Sequence, residues 1–154
     1  MGAVYFYHMT RSPLGATLPL LLTKSIGAGW RVLLRAQTPE QEAHVDDLLW
    51  THDPGSFLPH GRDDPAGVNP VLIGNQDTAL AGREALISVF GAEIGAEEAQ
   101  ASQRGMILFD GQDESAVAHA RTQWKTLTGA GIAAQYWSDA EGSWQMKAEA
   151  GAQD

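Results

Sequence analysis

Short apolar runs, each too brief for a buried helix, recur along the chain with helix-patterned stretches between them, and this alternation narrows the possible folds most. Ala3-Val-Tyr-Phe-Tyr-His8 opens as a β-rich run, and Trp30 to Ala36, Val71 to Gly74, Ala85 to Phe90, Met106 to Phe109 and Ala133 to Trp137 read as further strands. In the first interval Leu18, Leu21, Leu22 and Ile26 recur at helical spacing, with Thr17 as the expected cap, Pro19 in the first turn and Gly27 and Gly29 at the end. Thr38-Pro39-Glu40-Gln41 has a capping Thr, Pro at the first helical position and Gln41 in the capping-box place, and predicts a helix to about Trp50. The acidic, alanine-rich segment from Ala92 to Ser102 suits a short exposed helix. Asp110 to Asp113 supplies a turn and the start of a helix from Glu114 to about Thr128. Strands alternating with helices predict a single α/β domain over residues 1–147, three layers deep (α/β/α), with a mostly parallel sheet covered on both faces. Residues 148–154 are expected to be a frayed tail.

Such sheets often bind nucleotides, but the loop this requires is missing. Gly27-Ala28-Gly29 falls at a helix end, lacks the third glycine and leads into a strand, and no Lys-Ser/Thr phosphate loop occurs. The expected fold therefore resembles a nucleotide-binding domain without a phosphate-binding loop, and no cofactor is expected. The formal charge of −9, from 10 basic against 19 acidic residues, opposes non-specific binding to a phosphate chain, so direct nucleic-acid binding is not expected. There are no cysteines, which excludes disulfides, thiolate zinc sites and cysteine nucleophiles. No run approaches the length of a membrane span, and Met1 to Tyr5 begins a strand pattern rather than a basic region followed by an apolar one. The chain reads as cytoplasmic, with no membrane partner.

Catalytic patterns are weak. His44, Asp47 or Asp46, His52 and His60 offer nitrogen and oxygen ligands at spacings that match no common zinc site, and Ser56 lacks a glycine-framed elbow. No metal site is expected. A small α/β enzyme or nucleotide binder using His44, Asp47 and His60 remains the alternative to a non-catalytic role.

Two clusters point instead to protein recognition. Pro54, Gly55 and Pro59 keep the segment after Trp50 from being helical, and it carries Phe57 and Leu58, large apolar groups that either meet a partner or cover the domain's own core. The second cluster lies on the helix beginning near Glu114. There Val117, Ala120, Trp124 and Leu127 follow a core-face spacing, while Arg121 and Lys125, four residues apart, flank the outer edge of Trp124. Two cations around an aromatic plane can accept an acidic peptide ending in an aromatic residue, with Arg121 gripping a carboxylate. The alternative is that Trp124 belongs to the core and both cations are merely solvated.

The order Val4-Tyr-Phe-Tyr, Gly29-Trp-Arg-Val-Leu, Leu48-Leu-Trp50, Ser56-Phe-Leu-Pro-His60, Pro70-Val-Leu-Ile73, then Ala120-Arg121 with Trp124-Lys125 and Gly131, resembles the chi subunit of bacterial DNA polymerase III over nearly the whole chain. The resemblance implies a non-catalytic accessory of the clamp loader, in a DNA-directed DNA polymerase holoenzyme, that links the replication machinery to single-stranded-DNA-binding protein. It places the site for that protein's acidic, phenylalanine-ended C-terminal tail at Arg121, Trp124, Lys125 and Gly131, with Trp124 where a tyrosine is usual in the family. It places the surface for the psi subunit, or another clamp-loader subunit, at Trp50, Pro54, Phe57, Leu58 and Pro59.

Overall fold

The computed structural model describes residues 2–51, 60–62 and 70–150, with the side chains of Trp50 and Thr51 outside the description. The elements in chain order are β1 (Ala3–Met9), α1 (Leu14–Gly27), β2 (Val32–Arg35), α2 (Pro39–Thr51), β3 (His60–Gly61), β4 (Val71–Gly74), β5 (Ala85–Ser88), α3 (Ala96–Ala101), β6 (Arg104–Asp110), α4 (Glu114–Gly129), β7 (Ala133–Ser138) and β8 (Gln145–Ala150). They form one sheet ordered β3-β4-β2-β5-β6-β1-β7-β8, parallel throughout except for the antiparallel β7–β8 pair.

Strand side chains alternate between the two faces, and each face is covered by two helices. On one, Met9, Leu34, Ile73, Ile87 and Leu108 pack beneath Leu18 and Leu22 of α1 and Val45 and Leu49 of α2. On the other, Val4, Phe6, Leu33, Leu86 and Ile107 pack beneath Ala99 of α3 and Ala120 and Leu127 of α4. This is the expected α/β architecture with helices on both sides of a mostly parallel sheet.

Several boundaries differ from expectation: α3 starts at Ala96 rather than Ala92, β5 ends at Ser88 rather than Phe90, β2 spans only Val32–Arg35, and β6 is longer at both ends. Helix α1 starts at Leu14 rather than after Thr17, with Pro13 in extended conformation (φ −74°, ψ 161°) as its cap, and the Pro13 carbonyl accepts from the N–H groups of Ala16 and Thr17. Thr17 is therefore inside the helix, and so is Pro19, whose missing N–H leaves the Gly15 carbonyl without its helical donor. Strand β8 corrects the expected fraying at 148–150. Its Gln145-Met-Lys-Ala-Glu-Ala sequence alternates polar and apolar residues but is exposed almost throughout, so it is held by its ladder with β7 rather than by a buried face.

Arg35 is the least expected core residue. Only 1% exposed, it lies on the α3 side of β2, and its guanidinium donates to both carboxylate oxygens of Glu98 (2.8 and 2.7 Å) and to the carbonyls of Asn75 (3.1 Å), Glu93 (3.0 Å) and Thr78 (2.9 Å). The ion pair ties α3 and the loops after β4 and β5 to the sheet, and the fan of acceptors offsets the cost of burying a charge.

Candidate functional site: the outer shoulder of α4

Helix α4 begins where Asp113 caps it, accepting from the N–H groups of Ser115 (2.9 Å) and Ala116 (3.3 Å). Its inner face buries Ala120, Gln123 and Leu127, and the Gln123 side-chain carbonyl accepts from the Ile94 N–H (2.8 Å), locking the helix to the segment before α3. Trp124 is partly buried on the sheet side, edge-on to Phe6 (centroids 5.4 Å apart) and Tyr136 (6.0 Å). It is core and surface at once.

Arg121 and Lys125 lie exposed one turn apart, and neither has an ion pair or a side-chain hydrogen bond among the described residues. No Asp or Glu occurs between Glu114 and Asp139, so the helix shoulder and the adjoining strand carry positive charge only, in a chain of net −9. Like charges at this spacing oppose helix formation slightly. The pair thus costs the fold a little and leaves two cations free for an anion.

The same surface includes residues that the sequence reading missed. Tyr136 pairs with Phe6 across the β1–β7 ladder, stacks on its ring (6.4 Å) and shares a hydrogen bond between its hydroxyl and His8 Nδ1 (2.6 Å). Burial pushes the Tyr136 phenol above its ordinary pKa, partly countered by the charge of Arg121, which therefore acts on the same patch. The His8 ring packs on Phe109 (5.1 Å), and a Cβ on Gly111 would overlap that ring, so glycine is what fits there. Strand alternation alone put Tyr136 on the same face as Ala134; that this face meets α4 depended on the strand order.

Gly131 is not beside Arg121. It lies two residues past the end of α4, whose last residue is already roughly 12 Å farther along the helix axis at 1.5 Å per residue. It is exposed at φ +87° in the turn to β7, and its N–H closes the helix by donating to the Thr128 carbonyl (3.0 Å). Of the second candidate surface, Trp50 is in the last turn of α2 with its side chain outside the described residues, where Pro54, Phe57, Leu58 and Pro59 also lie.

The residues of the enzyme alternative have other partners. The His44 ring packs on Phe90 (5.8 Å), while buried His60 places Nε2 3.1 Å from an Asp46 carboxylate oxygen. Among the described residues no group of three His, Cys, Asp or Glu side chains could hold a metal ion. A cleft of about 1410 Å³ opens where the chain leaves β1 toward α1 on one face and β6 toward α4 on the other, the place where α/β sheets usually take ligands. Three of its backbone donors are already used. Asp139, 2% exposed at the end of β7, accepts from the N–H groups of Thr10 (2.6 Å), Arg11 (3.2 Å) and Ser12 (2.7 Å), so an internal carboxylate occupies the position an incoming anion would need. Burial pushes the Asp139 carboxyl up, but the hydrogen bonds from Ser12, Thr10 and Arg11 outweigh it and hold the group below the usual carboxylate range.

No helix among the described residues is long and apolar enough to cross a membrane. No curated protein matches the chain. Residues 1–135, from before β1 into β7 and including all four helices, match the family described as DNA polymerase III chi subunit, HolC. The match covers most of the chain, and with the α/β sheet and the cationic aromatic shoulder of α4 already described it shows that this protein belongs to the DNA polymerase III chi subunit family.

Proposed function

We propose that the protein is a non-catalytic replication adaptor. The outer shoulder of α4 takes the acidic, phenylalanine-ended C-terminal tail of single-stranded-DNA-binding protein and connects it to the DNA polymerase III holoenzyme through the clamp loader. The observation that carries this reading is the unpaired couple Arg121 and Lys125 flanking the half-buried ring of Trp124, in a stretch free of acids on a chain of net −9. Arg121 supplies a planar fork for a carboxylate, Lys125 adds a point charge, and the aromatic layer of Trp124, Tyr136 and Phe6 backs the surface against which a terminal ring can rest. In this reading the segment from Trp50 to Pro59 faces the psi subunit or another clamp-loader subunit. Gly131 shapes the end of α4 and contributes only through that turn.

The test is a titration with a synthetic acidic peptide ending in phenylalanine, followed by tryptophan fluorescence. Saturable binding is expected from the parent and a clear weakening from the Arg121→Ala variant. Equal affinity of both proteins would remove the site.

A further inference from the structure

The face of the sheet opposite α4 is covered unevenly. There α1 packs on β2 and α2 on β4, which leaves the β7 end of this face to aromatic rings. A cavity of about 290 Å³ opens there, walled by Tyr7, Trp30, Trp137 and Trp144, with the Tyr7 and Trp144 rings edge to face at 5.5 Å. Trp137 and Trp144 both lie beyond the residues that match the chi family.

Arg104, Lys24, Tyr7 and Thr17 face this cavity as donors with capacity left among the described residues. The Arg104 guanidinium stacks over the rings of Tyr5 (4.2 Å) and Trp30 (5.2 Å), which occupies its faces and leaves N–H groups at its edge. It has no acidic partner among the described residues, and neither has Lys24. Burial, only partly countered by the charge of Arg104, pushes the Tyr7 phenol up to about 12, so its hydroxyl stays protonated at any ordinary pH. The Thr17 hydroxyl, 3% exposed, lines the cavity with no hydrogen-bond partner. No Asp or Glu lines it.

Two cations and two neutral hydroxyls beside tryptophan walls call for an anionic group attached to an apolar plane. The volume is at the lower end for small-ligand sites, which run from roughly 300 Å³ upward, so the site accommodates one ring rather than a base, sugar and phosphate together. Only two cations reach it, too few to track a phosphate chain against the charge of the whole molecule. We propose that this cavity binds an aromatic carboxylate, its ring against Trp137 and Trp144 and its carboxylate on Arg104 and Lys24.

Phenylacetate, with phenylacetamide as its neutral counterpart, tests this through tryptophan emission. Phenylacetate should change the emission saturably, and the amide should bind roughly tenfold more weakly, as expected when a charge-assisted hydrogen bond becomes a neutral one. These measurements use the Arg121→Ala background, which disables the α4 shoulder as a competing carboxylate site; in it Arg104→Gln should weaken phenylacetate by a similar factor and Lys24→Gln by less. Lys24 is exposed on α1, so its variant keeps the test valid should loss of the Arg104 stacking disturb the fold. In the same background the peptide Gly-Gly-Phe with a free or an amidated terminus identifies the source: binding of the free form that Lys24→Gln weakens assigns a protein C-terminus, and its rejection beside phenylacetate binding assigns a free small acid. Equal binding of acid and amide would overturn the proposal, as would unchanged affinity in Lys24→Gln and a folded Arg104→Gln, or displacement of phenylacetate by oligothymidylate with a steep salt dependence.

Discussion

Arg121 and Lys125 differ in what they can do for an anion although both are exposed on one turn of α4. The guanidinium offers a fixed fork and the ammonium a mobile point charge. Arg121→Ala should therefore weaken the tail peptide by about 1.5 kcal/mol or somewhat more, the range for hydrogen bonds to charged groups, and Lys125→Ala by less, both measured by peptide titration at fixed salt. Neither change should shift the melting temperature appreciably, because neither side chain has a partner among the described residues. Arg35 is the opposite case, since its guanidinium serves five acceptor atoms inside the protein. Arg35→Ala should cost about 3 kcal/mol of folding stability in a urea melt, because breaking one side of a buried pair leaves the other uncompensated. The Arg35 hydrogen bond is the main cause that holds the Glu98 carboxyl below its ordinary value of 4.5, opposed by burial. A depressed folded-state value means this stabilisation is full above 4.5 and lost as pH falls through the folded-state pKa, so parent and Arg35→Ala melts should converge in acid. Arg35 could not be singled out in the sequence. An arginine in an apolar run predicts burial no better than exposure until Glu98, from a helix many residues away, is brought beneath it.

Among the elements, those that bury an apolar stripe or face were legible, and those held by neighbours were not. Strand β4 and helices α2 and α4 fall within a residue or so of their expected limits, because Thr38 and Asp113 cap in the expected way: Thr38 Oγ1 accepts from the Gln41 N–H (3.2 Å) and Asp113 from the start of α4. Gln41 departs from the capping box in accepting from the Gln37 N–H (2.9 Å). Strand β8 was missed although Gln145 to Ala150 alternates polar and apolar residues, because its apolar positions are only Met and Ala, with no β-branched or aromatic residue to mark a strand, and the two-residue β3 was missed because it is too short for a pattern. At the candidate site the helical spacing of Arg121, Trp124 and Lys125 was readable, whereas the His8–Tyr136 layer beneath it came from strand order. The resemblance grouped Gly131 with the tail site, and its φ of +87° supplies a separate reason for glycine. Gly131→Ala should thus lower stability by about 1 kcal/mol in denaturant unfolding, the cost of a left-handed residue with a Cβ, while Gly131→Asn costs less; peptide affinity should change little in either. The segment carrying Phe57 poses a different question, because it either meets a partner or covers the core. In the interface reading, Phe57→Ala keeps the melting temperature within a few degrees and loses roughly 2 kcal/mol or more of association with a clamp-loader subunit, as a hot spot does. A variant destabilised by ~3–5 kcal/mol would instead mark a core residue.

At the scale of the whole molecule, charge is distributed so that attraction is local and repulsion general. The chain carries 19 acidic against 10 basic residues, yet the span between Glu114 and Asp139 contains Arg121 and Lys125 and no acid. A short anionic tail that meets only α4 experiences the two cations at close range. A polynucleotide extends beyond them, and beyond roughly 10 Å at moderate salt the local attraction is screened while the remaining surface offers few cations for counterion release. At the C-terminal end of the sheet Asp139 already holds the backbone donors of Thr10, Arg11 and Ser12, so a phosphate cannot use those three. The purified protein should therefore produce no mobility shift with a naked single-stranded oligonucleotide near physiological salt. Adding single-stranded-DNA-binding protein with its tail intact should bring it onto the DNA, and the same protein truncated before the tail should not. Raising salt should weaken the ternary association through the tail contact, and Arg121→Ala should abolish most of that sensitivity. A shift with oligonucleotide alone that declines steeply with salt would mean that phosphate contacts exist outside α4, and the adaptor reading would then have to give way to direct binding of DNA.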